Sequence, residues 1–196
     1  LLVLLYCVLG RRKLVLRRDP SLPWPGPGIL WLTAAGTLAA SFLLLSGVLV
    51  RTGGATDACS LWPLCGSEFL PAEGPPSIHM AHRLVTLASG ALVLAALWAT
   101  WLRRRPVPGG GPLSLLTALF FIVQVATGAF MVFSGFTPLA RGIHLAVATG
   151  VWTGVVALAA LVADAYHLRQ PCAVYTMRLG LVLLVAASWL VVNSHA

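Results

Sequence analysis

The chain has 196 residues, of which 59% are hydrophobic and only 9% charged, where a soluble domain carries about a quarter charged residues. That balance excludes an ordinary soluble enzyme and marks an integral membrane protein. The formal net charge of +8 does not indicate nucleic acid as a partner, because the cations stand in short clusters between apolar runs, as in the flanks of membrane spans, and not on a solvated basic face.

In chain order, residues 1–28 form an apolar and basic segment followed by a Pro-rich linker. The chain does not open on Met. Leu1–Leu9 is apolar but short of the roughly 20 residues a span requires. A basic cluster follows it where a signal peptide would have one in front. We read it as the end of a truncated helix, an interfacial segment, or part of a signal. Pro20, Pro23, Pro25 and Pro27 then form a stiff, non-helical approach to the first span.

Five apolar runs are predicted to cross the bilayer, at roughly 29–50, 79–102, 113–135, 142–163 and 177–193. Arg103, Arg104, Arg105, Pro106, Pro108 and Gly109 to Gly111 are expected to make a tight polar turn between the second and third. One face of the membrane then receives Arg11, Arg12, Lys13, Arg17, Arg18, Arg103, Arg104, Arg105, Arg169 and Arg178. The other receives Arg51 and Arg141, with Arg83 just inside the second span. The basic face is cytoplasmic, so this is a multi-pass cell-membrane protein whose loop 51–78 lies outside.

That loop holds Cys59 and Cys65 on either side of Trp62-Pro63. Outside the cytoplasm such a pair can oxidise across a short Pro-containing turn, as a permanent or a redox-active disulfide. The alternative is two unpaired thiols. Cys7 and Cys172 lie in or beside apolar segments and are expected to be packing residues.

An internal repeat is visible. Ile78-His79-Met80-Ala81 opens the second span and Ile143-His144-Leu145-Ala146 the fourth. The helices before them end in Ser46-Gly47-Val48-Leu49 and Thr127-Gly128-Ala129-Phe130. The predicted fold is therefore all-α: a four-helix transmembrane bundle over 29–165, made of two repeated hairpins, with a cytoplasmic linker and a fifth transmembrane helix in 166–196.

His79, His82 and His144 fall at nearly one depth near the outer surface, whereas His167 and His195 read as a loop and a tail residue. Ionisable groups in spans face the protein interior and usually mark function. Each taken singly could be an interfacial anchor. Together, on repeat-related helices, they suit haem iron, for which paired histidines from facing helices are common ligands. Zinc would need a thiolate or carboxylate at the same depth to complete its set. His79 and His82 share a helix face, so only one of them can oppose His144. Arg51 and Arg83 stand at the level where haem propionates would lie; Arg83 could equally snorkel to the head groups.

The stretch Gly47-Val48-Leu49-Val50-Arg51-Thr52-Gly53-Gly54-Ala55, then Cys59-Ser60-Leu61-Trp62-Pro63-Leu64-Cys65, resembles the heme A synthase family. Its His-Arg pair opening the second helix is matched by His82-Arg83, its fourth-helix His by His144, and its third-helix pattern by Gln124 with Gly128. The resemblance covers roughly 30–165. It implies an enzyme of cytochrome oxidase biogenesis that oxidises the C8 methyl of heme O to a formyl group, with haem b, heme O or heme A as the bound group. It also implies pairing with a second four-helix half, most simply as a homodimer, within the lipid bilayer, and heme O synthase or an oxidase complex as further partners. Family members often carry a Glu three residues before the His-Arg pair. This chain has His79 there, which gives His79 the catalytic, proton-relaying role, while His82 and His144 ligate iron with His79 as the alternative ligand. The competing expectation is a non-catalytic haem b electron-transfer subunit of a respiratory or photosynthetic complex.

Overall fold

The computed structural model describes residues 25–66 and 73–167. Four helices follow one another: α1 Pro27–Thr52, α2 Pro75–Leu102, α3 Gly110–Phe133 and α4 Pro138–His167. Each is long and apolar enough to cross a membrane. The protein is an all-helical, multi-pass membrane bundle. The fifth span expected at 177–193 lies outside the described residues, as do Leu1–Leu9, Cys7, Cys172, Arg169, Arg178 and His195.

The helices begin earlier than apolar content alone suggests, because Pro and Gly set their starts. Pro27 is the first residue of α1, not the last of a non-helical approach, and Pro75 plays the same part in α2. Proline suits a first helical position because its missing N–H would have no partner there. The residues before them, Gly26 and Gly74, have φ of 78° and 80°, a region that costs other residues a Cβ clash. Only Gly109 of the glycine run belongs to the turn; Gly110 and Gly111 are buried in the first turn of α3. At the other end α4 continues through His167, which is helical and not a loop residue.

Around the bundle, α1 packs chiefly on α2 and α3 on α4. The α1–α4 side is closed, the α2–α3 side is thinner, and the diagonal pair α2 and α4 barely touch. The buried hydroxyls of α1 are satisfied within the helix, as a bilayer favours. Thr33, Thr37 and Ser41, one turn apart along α1, each donate to the carbonyl four residues back at 2.8 to 3.0 Å. Trp152 of α4 donates its indole N–H to Ser41 Oγ at 3.1 Å, tying α4 to α1. Small residues bring backbones close: a Cβ on Gly36 would sit 3.2 Å from the Cβ of Ala96.

The packing is uneven along the axis. One core cluster joins Ala40, Val93, Leu97, Phe121, Val151, Val155 and Leu158. A second joins Ile29, Leu30, Val107, Leu161, Val162 and Ala165. Both lie from mid-bundle toward the end where α1 begins. In α4, buried positions crowd from Val151 onward, while residues 141–150 are exposed or half-buried. The end carrying the histidines is therefore the looser one.

Candidate functional site

His82 is the eighth residue of α2 and His144 the seventh of α4, counted from helix starts at the same end. At about 1.5 Å of rise per residue, they lie at nearly the same depth on the two diagonal helices. Both side chains are half-buried. His79, the fifth residue of α2, stands nearer the loop.

The two rings are held alike. Ser46 Oγ lies 2.7 Å from His82 Nδ1, and Thr127 Oγ1 lies 3.0 Å from His144 Nδ1. Each hydroxyl already donates its proton to the carbonyl three residues back: Ser46 to Leu43 at 2.7 Å and Thr127 to Gln124 at 3.0 Å. Each hydroxyl has one proton and stands between a carbonyl and an imidazole nitrogen. At His144 the Gln124 amide nitrogen, which can only donate, lies 3.0 Å from Nε2, so Nε2 accepts and Nδ1 carries the proton toward Thr127. At His82, Ser46 accepts from Nδ1–H when its own proton goes to Leu43, and an imidazole whose Nδ1–H is held in this way is the form that presents Nε2 to a metal.

Glycines make room beside both rings. A Cβ at Gly47 would lie 3.5 Å from His82 Cε1, and one at Gly128 would lie 3.2 Å from His144 Cε1. Ser46-Gly47 with His82 therefore corresponds to Thr127-Gly128 with His144. The repeat in the odd helices is in register in three dimensions, whereas the Ile-His match that pairs His79 with His144 is displaced by three residues. Sequence reasoning had Ser46 and Thr127 only as repeat markers; their role comes from geometry.

His79 is differently placed. It is 7% exposed; its Nδ1 lies 2.9 Å from the Ala55 carbonyl and so donates to it. Its ring meets that of Phe136, in the α3–α4 turn, edge-on at 6.0 Å between centroids. It pins the chain beyond α1 to α2 and leaves Nε2 as an acceptor.

Cys59 and Cys65 are joined in a disulfide, and the Trp62–Pro63 peptide between them is cis. Arg83, next to His82, reaches up into this loop. Its Nη1 donates to the carbonyls of Leu61, Pro63 and Leu64, each at 2.9 Å. Its Nη2 is buried with no partner among the described residues. Arg51 stays exposed at the last turn of α1. Gln124, one turn before Gly128 on α3, places its amide nitrogen 3.0 Å from His144 Nε2, and its Oε1 is buried without a partner.

Among the described residues no three of His, Cys, Asp and Glu converge to hold a bare ion. Two imidazoles at one depth on the diagonal helices, each held at Nδ1, instead suit a metal that brings further ligands of its own, as haem iron does. The donor set, the glycine clearances and the unspent Arg83 Nη2 all fit such a group.

Fold and site together define a class: a helical membrane bundle with one imidazole on each of two diagonal helices near one face. The chain belongs to the COX15-CtaA family of cytochrome oxidase assembly proteins, whose model matches residues 1–156. It is similar to the heme A synthase of Staphylococcus saprophyticus, 28% identical over 163 residues, which are 78% of this chain and 54% of that protein. The heme A synthase of Bacillus licheniformis is 31% identical over 166 residues, 82% of this chain and 55% of the relative. That of Bacillus cereus is 30% identical over 137 residues, 68% and 44% of the two chains. The chain thus spans about half the length of the curated relatives it matches. No solved structure matches it.

Proposed function

We propose that this chain is a haem-binding unit of the heme A synthase type, taking part in the oxidation of the C8 methyl of heme O to a formyl group. The observation that carries the reading is the matched pair of hydroxyl contacts, Ser46 to His82 Nδ1 and Thr127 to His144 Nδ1, on two diagonal helices at one depth. Bound haem would supply one-electron redox chemistry. The chain's own residues bind and orient it. His82 and His144 would hold the iron, and Gly47 and Gly128 let the rings stand close to α1 and α3. The unpartnered Nη2 of Arg83 is suited to a propionate carboxylate, while its Nη1 holds the disulfide loop over the same end. Oxidation of a methyl group releases protons as well as electrons. His79, with Nδ1 committed to the Ala55 carbonyl, has Nε2 free to accept one.

In this reading the Cys59–Cys65 loop is extracytoplasmic, supported by the concentration of cations on the opposite face. A second four-helix half, most simply another copy, would receive the electrons.

The test is pigment analysis of the purified chain with heme O supplied. Heme A as product is expected, together with a low-spin bis-histidine spectrum lost in His82→Ala and in His144→Ala. An unchanged spectrum in His144→Ala would defeat the ligand assignment. Haem b alone, with heme O left unconverted, would instead support a non-catalytic haem b electron-transfer unit. One feature favours that second reading: His79 stands where a carboxylate would serve better to stabilise a developing cation.

A further inference from the structure

The two imidazoles are alike at Nδ1 and unlike at Nε2. On His144 the Nε2 lone pair accepts a hydrogen bond from the Gln124 amide at 3.0 Å; no described residue bonds His82 Nε2. The amide nitrogen can only donate, so Nε2 of His144 is the unprotonated nitrogen and Nδ1–H is given to Thr127. With its N–H toward the ring, the amide turns Oε1 away. That oxygen is buried and unpartnered. An unmet buried carbonyl costs about as much as a net hydrogen bond gains, so the amide is held in place by one contact and opposed by its own surroundings. It covers the ligand atom but is weakly held there.

We infer that Gln124 is a displaceable cap on His144, which makes ligation sequential: iron engages the open His82 first, and His144 only after the Gln124 side chain has swung away. Gln124 is thus a positioning residue acting through His144 and not itself a ligand. The inference rests on the assignment of His82 and His144 as axial ligands. Thr127 couples the two parts of the device, since its hydroxyl donates to the backbone carbonyl of Gln124 itself while accepting from the His144 ring. The same turn of α3 therefore orients the ring and carries its cap.

Stopped-flow mixing of the full chain, purified in detergent without haem, with ferric protoporphyrin IX tests this. Wild type is expected to show a fast phase giving a five-coordinate, high-spin spectrum and a slower, haem-independent phase giving the low-spin, six-coordinate form. In Gln124→Leu the second phase should be roughly three- to tenfold faster, as expected for loss of one hydrogen bond, with the first phase unchanged. Gln124→Asn, which keeps an amide but is one methylene too short for Nε2, should behave the same way and guards against misfolding of the Leu variant. A second phase unchanged or slowed in both variants overturns the cap. If wild type never reaches the low-spin form, the ligand assignment fails and the cap with it. A low-spin wild type with unaltered variant kinetics removes the cap alone.

Discussion

At the scale of single residues, the site depends on two hydroxyls that stand on the Nδ1 atoms of the imidazoles. Ser46 and Thr127 each lie between a carbonyl of their own helix and that nitrogen. Ser46→Ala and Thr127→Val should each weaken haem retention by about 10- to 100-fold, the usual effect of losing a partner that orients a metal-binding histidine; competition with a haem acceptor such as apomyoglobin measures it. Retention equal to wild type in both variants would contradict the tautomer assignment. The adjacent glycines make an unequal pair. Gly128→Ala forces the His144 ring to move by a few tenths of an ångström, whereas the added methyl in Gly47→Ala meets His82 at ordinary contact distance. Only the first is expected to alter the low-spin spectrum, and electron paramagnetic resonance g-values would show the difference. The His-Arg pair in the sequence singles out His82 and a helix opening singles out His144, while the repeat in the second and fourth helices aligns His79 with His144, three residues away from the Ser46–His82 and Thr127–His144 correspondence.

At the scale of elements, the helices meet through small residues facing large ones. Gly154 of α4 lies against the Thr117 side chain, Gly150 against the Phe120 ring, and Gly90 of α2 against Phe121 Cζ. A methyl at Gly154 would overlap Thr117, whose hydroxyl already donates to the Leu113 carbonyl at 2.8 Å and so has little freedom to turn. Overpacking of this kind costs about 1–3 kcal/mol, more than the ~0.5–1 kcal/mol gained by removing glycine from a helix. Gly154→Ala should therefore lower the thermal midpoint in detergent, followed by circular dichroism. Gly142→Ala, where a Cβ meets nothing within 4 Å, is the control and should not. The disulfide loop shows a second kind of element contact. Arg83 donates to three of its carbonyls, so one side chain on α2 fixes the loop that follows α1. From sequence Arg83 could be a propionate partner or a snorkelling cation; in the structure its Nη1 is committed to the loop and its Nη2 is buried without a partner among the described residues.

At the scale of the whole molecule, the bundle is closed by apolar clusters from its middle to one end and loosens toward the other, where the histidines, the disulfide loop and Arg83 gather. The described residues offer one pair of imidazoles at a common depth on the diagonal helices. Oxidising a substrate haem requires a site to receive its electrons, and the curated relatives are about twice as long as the stretch matched here. Two copies per assembly are the expected active form. Native mass spectrometry from detergent should give a mass of two chains with two haems; a monomer that converts heme O at a single site would defeat this expectation.

Composition and period were enough to establish a helical membrane protein. A bilayer leaves the backbone no other partner for its polar groups, so apolar runs of sufficient length must be helices, and clustered cations must flank them. The repeat and the Cys-containing loop were likewise visible, because they are local in the chain. The structure decided the rest: that α2 and α4 are diagonal, that Ser46 meets His82 across 36 residues and Thr127 meets His144 across 17, that Arg83 serves the loop, and that the Gln124 amide lies on His144 Nε2. Those relations depend on helix rotation and on where each helix begins. A proline at the first helical position shifts a start by several residues with no change in apolar content, and in a helix three residues of register separate His79 from His82.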